Sequence, residues 1–285
     1  MNAATVLALR CKDQPGLVTH FTQLVFNAGG NIREAHQFNA RDTGSFFMRL
    51  VFESPDGVAL ATEEIEKQLD DMPDDLHLSW RLVEEGRRKK VLMLVSKQDH
   101  CLGDLLYRMR IGELRMEVVG IISNHPKASL HLTTFGDIPY HHLPVTPETK
   151  VEQETRIRAI VDQTGAELVV LARYMQVLSG ELCDFLSGRC VNIHHSFLPG
   201  FKGAKPYHQA YDRGVKMIGA TAHFVTRDLD EGPIIVQDVE AISHADTIET
   251  LIRKGRNIEQ RVLSTAVTAF LEDRVFLDGH RAVVF

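Results

Sequence analysis

Three polar residues in the last third of the sequence have the types and the spacing for chemistry on a carbonyl carbon. Asn192 and His194 are two positions apart in an apolar run, so in a β-strand their side chains would project from the same face. Asp230 follows in a loop that closes at Gly232-Pro233. An amide donor, an imidazole that titrates near neutral pH and a carboxylate can stabilise an oxyanion and move protons while an external nucleophile attacks. On spacing alone, the simpler interpretation is that these side chains belong to the core and are hydrogen-bonded within the protein.

The elements that must position these residues alternate between strands and helices. Apolar runs without polar alternation are typical of strands covered on both faces, and their alternation with helices predicts a doubly wound, mainly parallel α/β sheet. Ligands of such sheets bind outside the carboxyl ends of the strands, where Asn192 and His194 fall. The runs are 91–95, 118–122, 168–171 and 191–193, the helices are about 103–111, 147–164, 178–187, 205–213 and 247–270, and a terminal hairpin covers 274–285.

The first 85 residues predict a different unit. A strand over 5–9 precedes a helix whose N-terminus Asp13 is expected to cap. The whole order is βαββαβ, which is the ferredoxin-like arrangement. The charged stretch 86–90 is expected to be a linker, so the predicted domains are 1–85 and 91–285. The remaining elements of the first domain are strands over 31–40, 45–53 and 76–83 and a helix over 58–69.

Composition excludes several classes of function. The 285 residues carry 32 Lys and Arg against 38 Asp and Glu, a formal charge of −6, which argues against nucleic acid as a partner. No apolar run approaches the roughly 18 residues that span a bilayer, and no basic segment precedes the first apolar run, so we expect no membrane association and a cytoplasmic location. The cysteine spacing matches no metal motif and is typical of buried thiols in a reducing compartment. The cysteines are Cys11, Cys101, Cys183 and Cys190.

Several longer motifs carry a resemblance to known families. The run Asn192-Ile-His-His-Ser-Phe-Leu-Pro199 and the later Asp228-Leu-Asp-Glu-Gly-Pro233 resemble the folate-dependent formyltransferases. The His-His pair and Phe201-Lys-Gly-Ala-Lys-Pro-Tyr207 are similar to the deformylase branch of that family. Asp13-x-Pro-Gly-Leu-Val18 and Gly29-Gly-Asn-Ile32 resemble an ACT domain, an amino-acid-sensing module of βαββαβ order. Together the two resemblances cover nearly the whole chain, in the order found in the deformylases.

The resemblance implies hydrolysis of 10-formyltetrahydrofolate to tetrahydrofolate and formate, which would supply formate for purine biosynthesis and balance one-carbon folate pools. By motif position it implies that Asn192, His194 and Asp230 are catalytic. Asn192 and His194 would donate to the formyl oxygen as charge builds on it, and Asp230 would orient water and move its proton toward the folate nitrogen. The folate is substrate, and neither a metal nor another cofactor is implied.

The resemblance also implies a folate pocket around the segment 171–178. Ordinary core packing explains Met175 and Leu178 almost as well. His223 is expected to support the site, the role of His195 is left open, and His208 and Lys205 are expected in an exposed loop. The implied pterin contacts are Met175, Gln176, Leu178, Val225 and Arg227.

Two alternatives remain. The first is formyl transfer to an amine such as glycinamide ribonucleotide, which Asp99 and Asp104 disfavour because two carboxylates near a helix N-terminus would repel a phosphate. The second is a sensor with a degenerate catalytic half. For either function, the ACT resemblance implies glycine and methionine as effectors, bound near Gly16, Asn31 and Ile32, and a homodimer or homotetramer.

Overall fold

The chain folds into two compact units. A computed structural model describes residues 4–55, 60–132, 135–200 and 206–285. The first unit runs to Arg87 and also contains Glu272–Asp278 and Val283–Phe285, while the second comprises Arg88–Leu271 and Gly279–Ala282. The terminal segment therefore divides between the units, whereas the sequence placed every residue after 90 in the second domain. Among the described residues, no helix combines the length and the apolar character needed to cross a membrane.

The first unit confirms the predicted βαββαβ order. Its four strands form an antiparallel sheet in the order β2-β3-β1-β4. One face of the sheet packs against both helices, and Phe21, Phe46 and Phe52 are fully buried between them. The elements are β1 (Thr5–Lys12), α1 (Leu17–Asn27), β2 (Asn31–Ala40), β3 (Ser45–Glu53), α2 (Thr62–Asp70) and β4 (Ser79–Glu84).

Local boundaries in the first unit differ from the predictions for identifiable reasons. Asp13 does not cap α1, because Gly16 occupies the N-cap in the left-handed region with φ 92° and Asp13 instead accepts from Asn39 Nδ2 at 2.8 Å. A short 3₁₀ turn at Asp74–Leu76 delays β4 to Ser79. The helix predicted over 58–69 begins at Thr62, and its first positions, 58–59, lie outside the described residues.

The second unit confirms the predicted mainly parallel sheet. Seven strands lie in the order β11-β10-β9-β8-β5-β6-β7, parallel from β9 to β7, with β10 and β11 antiparallel at one edge. The strands are β5 (Lys89–Val95), β6 (Met116–Ser123), β7 (Tyr140–His142), β8 (Leu168–Leu171), β9 (Cys190–His194), β10 (Met217–Phe224) and β11 (Ile234–Ala241). The helices are α3 (His100–Arg110), α4 (Lys150–Thr164), α5 (Gly180–Phe185), α6 (Pro206–Asp212) and α7 (Ile248–Leu271).

The stretch predicted to be a linker is partly ordered strand. Lys89 is the first residue of β5 and is buried. Its Nζ donates to the carbonyl oxygens of Phe270 and Leu271, at 3.2 and 2.8 Å, where α7 ends. A cation at a helix C-terminus satisfies carbonyls that have no partner within the helix. The charge of Lys89 is therefore structural and does not mark a solvated boundary.

The terminal strands β12 (Val275–Asp278) and β13 (Arg281–Val284) explain why almost all of β3 is buried. The Phe276 ring packs against Phe47 with ring centroids 5.7 Å apart. Arg49 on the same face of β3 donates from Nε to the Glu272 carbonyl at 3.1 Å. The face of β3 turned away from the helices is thus covered by residues 272–278 and 283–285, which belong to the first unit.

Candidate active site

A cavity of about 550 Å³ opens at the carboxyl ends of β8 and β9. The parallel sheet predicts a ligand site at this edge, where strand ends expose side chains and unpaired backbone groups. Asn192, His194 and Asp230 all line the cavity, so the structure brings the three predicted catalytic residues together. The predicted substrate-binding residues also line it: Met175, Gln176, Leu178, Val225 and Arg227.

His194 has one ring nitrogen engaged and one available. Its Nδ1 lies 3.3 Å from Asp230 Oδ2. Its Nε2 is buried and has no hydrogen-bond partner among the described residues, although the side chain lines the cavity. Buried polar atoms are almost always satisfied, so an unpaired one in a cavity wall marks a position that a ligand atom completes. The unpaired nitrogen of His194 is therefore the atom of this side chain that a ligand in the cavity would contact.

Asp230 is held as a carboxylate between two imidazoles. Its backbone adopts φ 58°, a conformation uncommon outside glycine, at the end of the loop after β10. Oδ2 faces His194 Nδ1, and Oδ1 lies 3.6 Å from His223 Nε2. Burial acts to raise the pKa of the Asp230 carboxyl, but hydrogen bonds and charge attraction from the two histidines outweigh it and lower that pKa. Asp230 is therefore ionised at neutral pH.

His223 orients the side chain of Asn192. The two residues face each other across the antiparallel β9–β10 pair. His223 Nδ1 lies 2.9 Å from the Phe224 carbonyl oxygen, which can only accept, so this nitrogen carries a proton. Nε2 lies 3.2 Å from Asn192 Nδ2 and 3.6 Å from Asp230 Oδ1, so it accepts from the amide in the neutral ring and donates to the carboxylate in the charged one. One of the two amide hydrogens of Asn192 is used in this way and the other is left for a ligand. We call Asn192, His194, His223 and Asp230 the catalytic cluster.

The predicted pterin contacts differ in how firmly they are held. Leu178 and Val225 pack against the core of the second unit, whereas Met175 is 57% exposed. Arg227 donates from Nε to Asp184 Oδ1 at 2.7 Å, and the hydrogen bonds lower the pKa of the Asp184 carboxyl. The cavity thus has apolar, partly exposed walls that suit a flat aromatic ligand.

Sequence reasoning missed a second polar group on the same cavity. Glu259 is 1% exposed and lies within 2.6 Å of Tyr207 Oη and 3.3 Å of Arg173 Nε. We call Arg173, Tyr207 and Glu259 the polar wall; all three line the cavity. One signal was present in the sequence. On α7, Glu259 shares a helical face with Val262, Leu263 and other buried residues, where an isolated carboxylate is expected only if it has partners.

Two histidines whose roles were open can now be placed. His195 lines the cavity, with its ring 5.3 Å from that of His194 and 6.4 Å from that of Tyr207. Burial and the nearby Arg173 charge lower the pKa of His195 to about 4, so the ring is neutral at pH 7. His208 was expected in an exposed loop but lies half-buried in α6, lining the cavity. Lys205 falls outside the described residues.

The predicted effector residues do not lie together within the first unit. Gly16 lines a second cavity of about 480 Å³, whose wall also includes Asp13, Gln37 and Asn39. Asn31 and Ile32 lie at the opposite end of β2 from Asn39, roughly 25 Å away along an extended strand.

Comparisons with known proteins agree with this architecture. Residues 89–267 match the formyl transferase family and residues 5–70 match the ACT domain. The chain is 46% identical over 279 residues to a formyltetrahydrofolate deformylase of Corynebacterium sp. (strain P-1), covering 98% of this chain and 97% of that protein. The corresponding protein of Escherichia coli (strain K12) is 39% identical, with the same coverage.

Solved structures show the same relationship. The crystal structure of a formyltetrahydrofolate deformylase from Burkholderia mallei superposes with a TM-score of 0.92 at 46% identity, covering 99% of both chains. Glycinamide ribonucleotide transformylase 1 from Symbiobacterium toebii superposes with a TM-score of 0.65 at 30% identity, covering 72% of this chain and 98% of that one. The likeness to the transformylase is therefore partial, and the likeness to the deformylase spans both units.

Proposed function

Because the chain belongs to the formyltetrahydrofolate deformylase family, we propose that it hydrolyses 10-formyltetrahydrofolate to tetrahydrofolate and formate. The observation that carries this function is the catalytic cluster: a buried, unpaired His194 Nε2 beside a free amide hydrogen of Asn192 and an ionised Asp230, all on one cavity. These are the groups that water attack on a formamide requires.

The oxyanion is stabilised by two donors on β9. As water attacks, negative charge builds on the formyl oxygen, and the second amide hydrogen of Asn192 donates to it. His194, protonated at both nitrogens, donates from Nε2 to the same oxygen and from Nδ1 to Asp230. Donors fixed in place before the reaction stabilise this charge without reorganising, which is usually the largest single catalytic contribution.

Asp230 directs the proton. The attacking water donates one hydrogen bond to the carboxylate, which aligns a lone pair with the formyl carbon. Because its pKa is lowered, Asp230 is a weak base toward free water and accepts the proton only as the new C–O bond makes that water acidic. The proton then passes to the folate nitrogen, the C–N bond breaks, and formate and tetrahydrofolate leave. None of the proposed steps requires a cofactor.

The residues proposed to hold the folate are the five predicted ones on the cavity. Met175, Leu178 and Val225 supply apolar contacts for the pterin, and the Gln176 amide and the Arg227 guanidinium supply polar ones. Pairing with Asp184 fixes the direction of the Arg227 side chain. Each is a proposal based on its place in the cavity wall.

Water is the proposed acceptor, and the turn after β5 gives little support to a phosphorylated amine. Asp99 Oδ2 accepts from the Leu132 backbone N–H at 2.7 Å, and Asp104 Oδ2 accepts from Arg108 Nε at 2.8 Å. Both carboxylates are thus fixed near the start of α3, where a phosphate would otherwise be attracted to the helix N-terminus.

The first unit is proposed to regulate the second. Glycine and methionine are the proposed effectors, and the cavity beside Gly16 is the proposed site for them. Strand β2 is an exposed sheet edge, which supports pairing with a second copy into a homodimer or homotetramer. Isothermal titration with both amino acids, giving neither heat nor a change in activity, would remove the effector proposal.

The proposed setting is the cytoplasm, where the formate would supply purine biosynthesis and the reaction would balance folate pools. The four cysteines are free and buried, which fits a reducing compartment. Neither a membrane nor a nucleic acid is a proposed partner.

The test is to incubate the protein with 10-formyltetrahydrofolate, with and without glycinamide ribonucleotide, and to assay formate. Formate released without any amine is the expected result. Formylated amine in place of formate would make the protein a transferase. The absence of both products would favour the alternative function as an amino-acid sensor.

A further inference from the structure

The cavity wall next to His195 is a network of polar side chains centred on the Glu259 carboxylate. Oε1 accepts from Tyr207 Oη at 2.6 Å. Oε2 lies 2.8 Å from His100 Nε2 and 3.3 Å from Arg173 Nε. Arg173 continues the network by donating from Nη2 to Gln98 Oε1 at 2.7 Å. Three segments of the chain therefore converge on the buried carboxylate of α7, and its charge is balanced inside the protein.

The network holds an aromatic ring in a space that the sequence leaves open for it. Gly255 lies one helical turn before Glu259 on α7, and a Cβ at Gly255 would stand 2.1 Å from Cζ and Oη of Tyr207. Any other residue at 255 would displace the ring. Arg173 adopts φ 66°, a conformation uncommon in residues with a side chain, which aims the guanidinium at Glu259. The position of Tyr207 is therefore determined from two sides.

The Glu259 carboxylate and its neighbours on α3 do not suit a metal ion. His100, Cys101 and Glu259 have possible ligand atoms within 4.8 Å of one another. However, Glu259 already neutralises Arg173, and a cation placed there would be repelled by the guanidinium. Burial also raises the pKa of the Cys101 thiol well above its usual value, which opposes the thiolate that binds metals.

The polar wall and the catalytic cluster border one space. Both line the same cavity, and His195 stands between them, with its ring 5.3 Å from the ring of His194 and 6.4 Å from that of Tyr207. A nucleophile that reaches the formyl carbon beside His194 must share this space with the Tyr207 ring. Water fits beside a fixed ring, whereas an amine brings at least one carbon substituent with it.

We propose that the polar wall determines which nucleophile is accepted, with Tyr207, fixed by Glu259 and Gly255, leaving room for water and excluding amines. The inference rests on the proposed hydrolysis. It predicts that an opened wall permits aminolysis at the same catalytic cluster. There the amine nitrogen bonds to the formyl carbon, the C–N bond to the folate breaks, and the proton lost by the amine goes to the folate nitrogen.

The test measures how product divides between N-formylglycinamide and formate when 10-formyltetrahydrofolate and glycinamide are supplied to the full-length protein. The wild type is expected to give formate alone. Tyr207→Ala removes the ring, and the ratio of formylated amine to formate should rise about tenfold or more over background, the scale of discrimination that a few carbons of pocket shape supply. Tyr207→Phe keeps the ring but loses its bond to Glu259, so its ratio is expected to lie between those of the wild type and Tyr207→Ala.

A second variant provides an independent test should Tyr207→Ala fail to fold. Gly255→Ala leaves Tyr207 in the chain but displaces its ring, so it should shift the ratio in the same direction. Should either variant fold, release formate and form no formylated glycinamide, the inference is overturned while the hydrolase function stands. A wild type that formylates glycinamide as readily as the variants overturns it as well. A wild type that releases no formate overturns the proposed function itself.

Discussion

The catalytic cluster and the polar wall are built from similar residues and differ in what they leave unpaired. In the cluster, His194 Nε2 is buried without a partner and one amide hydrogen of Asn192 is unused. In the wall, both oxygens of Glu259 have protein partners, and Arg173 Nε, which makes no hydrogen bond among the described residues, lies 3.3 Å from Glu259 Oε2 as an ion pair. Unpaired buried groups favour a ligand, whereas a balanced buried charge favours one fixed geometry. The difference teaches that burial and charge alone do not identify an active site, and that a buried polar atom with neither a hydrogen bond nor an ion pair is the better marker.

The largest expected effect comes from breaking the cluster at its carboxylate. Asp230→Asn should lower kcat by about 10³- to 10⁴-fold, since the amide cannot accept the proton of the attacking water. Formate release under saturating folate measures it. The matched control is Asp228→Asn, the same change on an exposed carboxylate two residues away, which should remain close to wild type. Equal losses in both variants would show that the loop matters and the carboxylate does not.

Breaking the polar wall is expected to lower the stability of the protein. Arg173→Met leaves Glu259 buried with reduced compensation, so we expect a loss of about 3–5 kcal/mol in the free energy of unfolding of the second unit. Calorimetry checks it. Arg173→Met combined with Glu259→Leu should recover most of the loss, because the pair is then replaced by apolar groups. Arg156→Met, which breaks an exposed pair with Glu152, is the control and should change little. A double variant no more stable than the single one would refute the charge argument.

Removing one oxyanion donor should affect turnover without a comparable loss of stability. Asn192→Ala is expected to lower kcat about 10²- to 10³-fold with a much smaller change in KM, because the amide acts on charge that forms only in the transition state. Steady-state kinetics separates the two constants. Near-normal turnover in a folded Asn192→Ala protein would mean that another group stabilises the oxyanion.

The smallest effect concerns His195, which stands between the two regions. Its pKa falls from 6.5 to about 4 on folding, so the unfolded chain takes up a proton first as the pH drops. The free energy of unfolding is therefore highest above pH 6.5 and falls progressively toward pH 4, by about 2 kcal/mol between pH 7 and 5. His195→Asn should remove that part of the acid sensitivity, and denaturant unfolding at both pH values measures it. Exposed His244→Asn should leave the difference unchanged.

Much of the architecture could be predicted because periodicity and burial agree locally. The run 168–171 became β8 at the predicted bounds, since four consecutive apolar residues in a sheet covered on both faces leave little choice of register. Asn192, His194 and Asp230 were found through motifs, and the structure brings all three to one cavity. Their roles stay predictions until the variants are measured.

What could not be predicted depends on contacts between distant segments. The wall joins Arg173, Tyr207 and Glu259, which are 34 and 52 residues apart along the chain and share no motif. The cap expected from Asp13 was wrong because a left-handed Gly16 starts α1 and Asn39 holds the carboxylate. Local propensity ranks such alternatives, but tertiary partners decide between them.

The return of the chain to the first unit has a consequence for its synthesis. Residues 272–278 and 283–285 complete a unit that otherwise ends at Arg87. During translation, the N-terminal sheet emerges early, whereas Phe276, which packs on Phe47, is made only after the whole second-unit segment 88–271. The domain that is begun first can therefore be completed only after the segment that forms the second unit has been synthesised.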